Sequence, residues 1–139
     1  MASEVYKQLI ILNKIEELHR VVAFLEQLEE EWQLPAGSLL PINLVLEEAL
    51  SNVIFYAYED ERTHEIRIDF EYADNRLDVT IRDSGKPFDP TRNNNPDLTL
   101  PVEERPIGGL GIFLIRKIMQ EVSYERLGEE NILRMSKMI

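Results

Sequence analysis

Glu48 and Asn52 are the first residues whose types and spacing could support chemistry. They lie four positions apart in a segment with helical spacing, so their side chains are expected on one helix face. The amide oxygen of Asn52 suits Mg²⁺, which prefers oxygen ligands. The carboxylate of Glu48 could take a proton from an attacking hydroxyl or water. Alone, this pair is more typical of a solvated helix face.

A second group is formed by Asp83 and Gly85. Asp83 ends an alternating segment, and the glycine two residues later allows close approach to the backbone. A buried carboxylate here could accept a hydrogen bond from an amine, such as the exocyclic amine of adenine. Asp-Ser-Gly is also common in turns, and alone this group is more typical of one.

The glycine-rich run 108–111 is the third group, and an apolar helical segment follows it. Glycines let a backbone approach phosphate oxygens, and a helix N-terminus offers free N–H groups to an anion. Arg105 is a further candidate phosphate contact. No Gly-Lys-Ser/Thr follows, which excludes a P-loop, and no strand precedes, as a dinucleotide fingerprint requires. A flexible turn entering a packed helix is the alternative.

Hydrophobic periodicity predicts the elements that position these groups. In chain order they are a strand from Tyr6 to Leu12, a helix from Asn13 to about Trp32, a helix from Pro41 to about Tyr58, a hairpin of strands from Glu65 to Tyr72 and Leu77 to Ile81, a helix from Leu110 to about Met119, and a hairpin from Val122 to Leu127 and Ile132 to Met138. We expect an α+β fold, a two-layer sandwich with helices on one face of a mainly antiparallel sheet.

Local signals predict how these elements begin and end. Asn13 with Glu16 has the form of a helix-capping pair, Asp74 with Asn75 forms a turn, and residues 128–131 turn the last hairpin. Residues 88–107 are rich in proline and poor in core residues, which is typical of a functional loop. We interpret this segment as a lid.

Composition narrows the function classes. The chain has 139 residues, 44% of them hydrophobic, with no repeat or linker, so one domain over residues 1–139 is expected. A net charge of −11 argues against a nucleic-acid binder and leaves room for a basic protein partner. The absence of cysteine excludes disulfides and thiolate metal sites. No apolar run is long enough to cross a membrane and no export signal is evident, so a cytoplasmic location is expected.

The order of the three groups, with a proline-rich loop before the last, resembles the GHKL ATP-binding family of histidine kinases, gyrase and Hsp90. The resemblance is closest to the stand-alone anti-sigma-factor serine/threonine protein kinases. The segments that carry it are LEEALSNVIFYAYE, IRDSGKPFDP and ERPIGGLGIFLIRKIMQEVSYERLGEENILRMSK, and it covers about Leu9 to Lys137.

This resemblance implies the Bergerat ATP-binding fold, the cofactors ATP and Mg²⁺, and an ATP lid at about 88–107. It implies these roles: general base for Glu48, Mg²⁺ ligand for Asn52, adenine reader for Asp83, contact with the base for Gly85, and triphosphate binding for Arg105 and the amides of Gly109, Leu110 and Gly111. Two departures stand out. Tyr56-Ala57-Tyr58 replaces the His-Gly-Tyr of many relatives, and Asn131 is nearest to a Thr that in relatives helps hold adenine through water.

By resemblance, the expected function is a serine/threonine protein kinase that phosphorylates a STAS-type anti-sigma antagonist and sequesters a sigma factor. The alternative is a non-catalytic, ATP-bound regulatory module. A sensor histidine kinase fragment is a third hypothesis, but it needs a phosphoacceptor histidine on a dimerising helix. His19 and His64 are the histidines of the chain, and both are more typical of structural or surface residues. A homodimer is a candidate assembly.

Overall fold

The computed structural model describes residues 5–92 and 109–139. Its elements in chain order are β1 Val5–Leu12, α1 Leu18–Glu31, α2 Leu40–Asn52, β2 Glu65–Ala73, β3 Arg76–Asp83, α3 Gly109–Ile118, β4 Glu121–Leu127 and β5 Glu130–Met138. Short helical turns of other types occupy Ile15–Glu17, Val53–Ala57 and Pro90–Arg92. The α+β fold class and the predicted order of elements are confirmed.

The five strands form one antiparallel sheet in the order β1-β2-β3-β5-β4. Alternation sends Ile66, Ile68 and Phe70 to the helix-covered face, where each is 0% exposed. The opposite face is polar; there Asp69 accepts hydrogen bonds from Tyr6 and Gln8. Because β3 and β5 are neighbours, Asp83 at the end of β3 lies beside Asn131 near the start of β5.

Helix α2 lies at the centre of the helical layer, with Leu46 and Leu50 fully buried against the sheet. Helix α3 packs beside it through Ile112 and Ile115. In α1 the buried residues are Val21, Leu25 and Leu28, whereas Val22, which also fits the helical spacing of apolar residues, is 40% exposed. A tight turn precedes α1 and shifts the phase of the helix relative to a continuous 3.6-residue pattern.

The predicted capping pair at the start of α1 is wrong. The side-chain oxygen of Asn13 accepts a hydrogen bond from the backbone N of His64 at 2.7 Å, across the chain. Glu17, rather than Glu16, accepts from the backbone N of Leu12 at 2.9 Å. The His64 amide, which lies just before β2, competes successfully for the asparagine because it is brought close by the β1–β2 pairing.

The second predicted helix is present, but only its first part is α-helical. Helix α2 ends at Asn52, and Val53–Ala57 continue as a turn with the wider π-helical hydrogen bonding. Such turns often occur at functional sites. This one directly follows a candidate site residue and closes on the loop after β3, where the backbone N of Lys86 donates to the carbonyl of Ala57 at 2.8 Å.

The final hairpin is tighter than predicted. We expected residues 128–131 to form the turn, but β4 and β5 leave only Gly128 and Glu129 between them. Gly128 has a φ of 61°, which suits the two-residue turns that join twisted strands. Asn131 therefore belongs to β5, where its register partner is Asp83 of β3. This shift places an unpredicted polar residue in the site.

Candidate functional site

A pocket of about 180 Å³ opens between α2, α3 and the adjoining ends of β3 and β5. Its apolar wall comes from both layers: Ala49, Val53, Ile81, Ile112, Ile115 and Leu133. Its polar residues are Asn52, Tyr56, Asp83, Lys86, Tyr124 and Asn131. An apolar cleft with a few converging polar groups is the usual form of a small-molecule site.

Asp83 lies in the wall of this pocket and is 6% exposed. Its Oδ1 accepts hydrogen bonds from the backbone N of Gly85 and from Nδ2 of Asn131, each at 2.9 Å. Burial raises the pKa of the Asp83 carboxyl above its ordinary value, whereas these two hydrogen bonds and the positive charge of Arg126 act in the opposite direction. The result is a buried, held carboxylate facing a small-molecule cavity.

Asn131 holds both Asp83 and the loop that follows it. Its Nδ2 also donates to the carbonyl of Lys86 at 2.9 Å, and its Oδ1 accepts from the backbone N of Phe88 at 3.4 Å and from the hydroxyl of Tyr124. From the sequence alone, Asn131 is only a departure from relatives. The signal that could have assigned it was Gly128, which allows a two-residue turn and so puts Asn131 within β5.

Close packing explains why residue 85 is a glycine. A Cβ added there would lie 2.5 Å from the Cβ of Ala57 and 2.6 Å from its carbonyl oxygen. The loop after β3 can therefore approach the π turn only with glycine at this position. Asp83 and Lys86 form the pocket wall on either side of it. The contact of Gly85 with a base stays a prediction.

The departure at Tyr56-Ala57-Tyr58 is accommodated locally. Tyr56 lines the pocket and is 46% exposed. Tyr58 points away, where its oxygen accepts from the backbone N of Ser84 at 3.2 Å and its ring stacks on His64 at 4.0 Å. His64 thus supports the loop next to Asp83, while His19 is exposed on α1.

The first and third predicted groups meet at the mouth of the pocket. A Cβ added to Gly111, in the first turn of α3, would lie 3.2 Å from Oε2 of Glu48 and 3.5 Å from Nδ2 of Asn52. The missing side chain lets the start of α3 lie directly on that face of α2. Both polar residues are half-buried, and Asn52 also lines the pocket.

The start of α3 has the properties of an anion site. Gly109, Leu110 and Gly111 form its first turn, where backbone N–H groups have no partner within the helix. These groups, with the positive end of the helix dipole, attract phosphate oxygens. Arg105, Gly108 and residues 93–107 of the predicted lid lie outside the described residues; Phe88 and Pro90, at its beginning, line the pocket.

Within residues 5–92 and 109–139, no group of three or more histidine, cysteine, aspartate or glutamate side chains is arranged to hold a metal ion. None of the helices described there is long and apolar enough to cross a membrane.

Comparison with known proteins agrees with this geometry. Residues 11–137 match the profile of the histidine kinase-like ATPase domain. The chain belongs to that family. The resemblance to GHKL proteins expected from the three groups is thereby confirmed.

The relatives of this chain include proteins described as serine-protein kinases. The chain is 34% identical over 85 residues to serine-protein kinase RsbW of Bacillus thuringiensis, a match that covers 58% of this chain and 52% of that protein. It is 32% identical over 91 residues to serine-protein kinase RsbW of Oceanobacillus iheyensis, covering 61% and 56%. These matches span about half the length of the curated relatives.

A solved structure of another protein shares the fold. The histidine kinase AdeS of Acinetobacter baumannii superimposes with a TM-score of 0.51 at 17% identity, covering 95% of this chain and 68% of that one. At this identity the likeness concerns the fold alone.

Proposed function

We propose that this chain is an ATP-dependent serine/threonine protein kinase and anti-sigma regulatory factor, which phosphorylates a STAS-type antagonist and sequesters a sigma factor. One observation carries the proposal: the start of α3 lies on Glu48 and Asn52 at the mouth of a pocket whose wall holds the buried Asp83. The similarity to proteins described as serine-protein kinases supports the choice of substrate class.

In this proposal the adenine ring enters the apolar pocket and its exocyclic amine donates to Asp83. The triphosphate then extends toward the first turn of α3, where the amides of Gly109, Leu110 and Gly111 bind its oxygens. Arg105 adds a positive charge to the same group. The base is therefore bound by the sheet, and the phosphates are bound by the helical layer.

The oxygen donors at the mouth fit a magnesium ion held mainly by nucleotide phosphates. Asn52 offers an uncharged side-chain oxygen beside the carboxylate of Glu48, and Mg²⁺ is commonly held by one or two such groups plus substrate phosphates. The ion would neutralise phosphate charge. Glu48 would accept the proton of a substrate hydroxyl as that oxygen bonds to the γ-phosphorus; the bond to the β,γ-bridging oxygen breaks and ADP leaves.

The proposed partners follow from the family resemblance and agree with the charge. A chain with a net charge of −11 suits protein partners with basic surfaces better than nucleic acid. We place this regulator in the cytoplasm, as one domain, with a homodimer as a candidate assembly.

The decisive experiment compares alanine variants of residues on one helix. Glu48→Ala should still bind Mg-ATP but lose phosphoryl transfer by roughly 10²- to 10⁴-fold, the usual weight of a general base. Asn52→Ala should instead weaken Mg²⁺-dependent nucleotide binding. Binding is measured by calorimetry and transfer by phosphoserine formation.

Glu47→Ala is the matched control, because Glu47 is exposed and faces a separate cavity between α1 and α2. It should change neither quantity. Transfer at the wild-type rate by Glu48→Ala would show that Glu48 is not the base. A wild-type protein that binds Mg-ATP and a sigma factor but phosphorylates no serine substrate would favour the non-catalytic regulatory module.

A further inference from the structure

We infer that Asn131 is a positioning residue for nucleobase selection: held by Tyr124, it fixes Asp83 so that one carboxylate oxygen faces the pocket and selects a 6-amino purine over a 6-oxo purine. The inference rests on the proposed nucleotide-binding function, in which Asp83 binds adenine, and it adds roles for Asn131 and Tyr124.

The orientation of the Asn131 amide is fixed by its neighbours. Its Nδ2 lies 2.9 Å from Oδ1 of Asp83 and 2.9 Å from the carbonyl oxygen of Lys86, both of which accept hydrogen bonds. Its Oδ1 faces the backbone N–H of Phe88 at 3.4 Å. A flipped amide would oppose oxygen to oxygen and N–H to N–H. At 6% exposure, water cannot readily substitute for these partners.

Asp83 is oriented in turn. The hydrogen bonds that it accepts within the described chain, from Gly85 and Asn131, both reach Oδ1. Its Oδ2 therefore remains for a ligand in the pocket that Asp83 lines. An ionised carboxylate only accepts hydrogen bonds, so it binds an exocyclic amine and repels a carbonyl at the same position.

Tyr124 and Arg126 on β4 complete the support. The hydroxyl of Tyr124 donates to Oδ1 of Asn131, which adds a second donor to that oxygen. Nη1 of Arg126 donates to the carbonyl of Gly85 at 2.7 Å and holds the loop after Asp83 against the edge strand. The selecting oxygen is thus fixed from β4 through β5 to β3, by contacts that need no ligand.

The test measures ATP and GTP affinities by calorimetry for the wild type, Asn131→Ala, Asp83→Asn and the double variant, with GTP as the 6-oxo probe. Asn131→Ala should weaken ATP binding about tenfold or more, the weight of a hydrogen bond to a charged group, and GTP binding much less. In the Asp83→Asn background the same change should cost ATP affinity little, because Asn131 acts through Asp83.

Gln120→Ala is the matched control. It removes a side-chain hydrogen bond between segments, the 2.8 Å contact with the backbone N of Met138, outside the pocket. It should lower stability without changing the ATP-to-GTP ratio. If Asn131→Ala does not fold, Tyr124→Phe tests the same series of hydrogen bonds. It should shift the ATP-to-GTP affinity ratio in the same direction as Asn131→Ala, by a smaller factor.

Equal losses for both nucleotides in Asn131→Ala, or independent losses in the double variant, would assign Asn131 a purely structural role and overturn the inference. An unchanged ratio in both Asn131→Ala and Tyr124→Phe would do the same while leaving the proposed function intact. A wild-type protein that binds neither nucleotide would overturn the proposed function, and the inference with it.

Discussion

Replacing Asp83 by asparagine changes one atom of the pocket wall from an acceptor to a donor. Gly85 and Asn131 both donate to Oδ1 at 2.9 Å, so the new amide must keep its oxygen there and turn its NH₂ toward the pocket. The exocyclic amine of adenine then meets a donor. The loss is roughly 1.5–3 kcal/mol, the range for hydrogen bonds to charged groups, or about tenfold to 150-fold in ATP affinity.

The same substitution should not weaken the fold. Burial raises the pKa of Asp83 in the folded protein, so its ionisation costs stability once the pH exceeds the ordinary value for aspartate. At pH 7 the neutral variant should therefore have a higher free energy of unfolding than the wild type. Below the ordinary pKa, where aspartate is protonated in both states, the difference should vanish.

Calorimetric titration with Mg-ATP and urea denaturation at two pH values test both parts. Unchanged ATP affinity in a folded Asp83→Asn protein would refute its role in reading the base. A variant less stable than the wild type at neutral pH would refute the view that the site holds a charge at the expense of stability.

Three further outcomes are expected. Gly111→Ala places a Cβ 3.2 Å from Oε2 of Glu48, so it should slow single-turnover phosphoryl transfer by roughly tenfold to 100-fold while leaving the free energy of unfolding almost unchanged. Gly85→Ala should lower the free energy of unfolding by about 1–3 kcal/mol in urea, since its Cβ would meet Ala57 at 2.5 Å. As the pH is lowered, ATP affinity should begin to fall at a pH above the ordinary pKa of aspartate, because burial raises the pKa of Asp83. The Asp83→Asn variant is the control, since any pH dependence that it shows comes from other groups, such as the phosphates.

Local patterns were sufficient to predict the elements, the position of Glu48 and Asn52 on α2, and that of Asp83 at the end of β3. The alternation in β2 and β3 marks a strand pair with one buried face, and Asp74 and Asn75 both adopt positive φ, 52° and 63°, as their turn signal indicated. Glu48 and Asn52 share a helix face because they are four residues apart, which depends on helical geometry alone.

Long-range competition explains what the sequence did not reveal. Asn13 has a local partner in a capping pair, yet it bonds to His64, which only the β1–β2 register brings near. Asn131 enters the site because β5 pairs with β3 in a register that no local pattern specifies. The reason for Gly85 is likewise tertiary, since its neighbour is Ala57 across the chain.

Phosphoryl transfer to serine tests the central claim most directly. The wild-type chain would be incubated with Mg-ATP and a candidate STAS-domain antagonist from the same organism, and the product analysed by mass spectrometry for phosphoserine. Our account predicts phosphorylation of a serine in the wild-type reaction and a loss of roughly 10²-fold or more with Glu48→Ala. An unmodified STAS protein after incubation with a wild-type chain that binds Mg-ATP would contradict the assignment as a kinase.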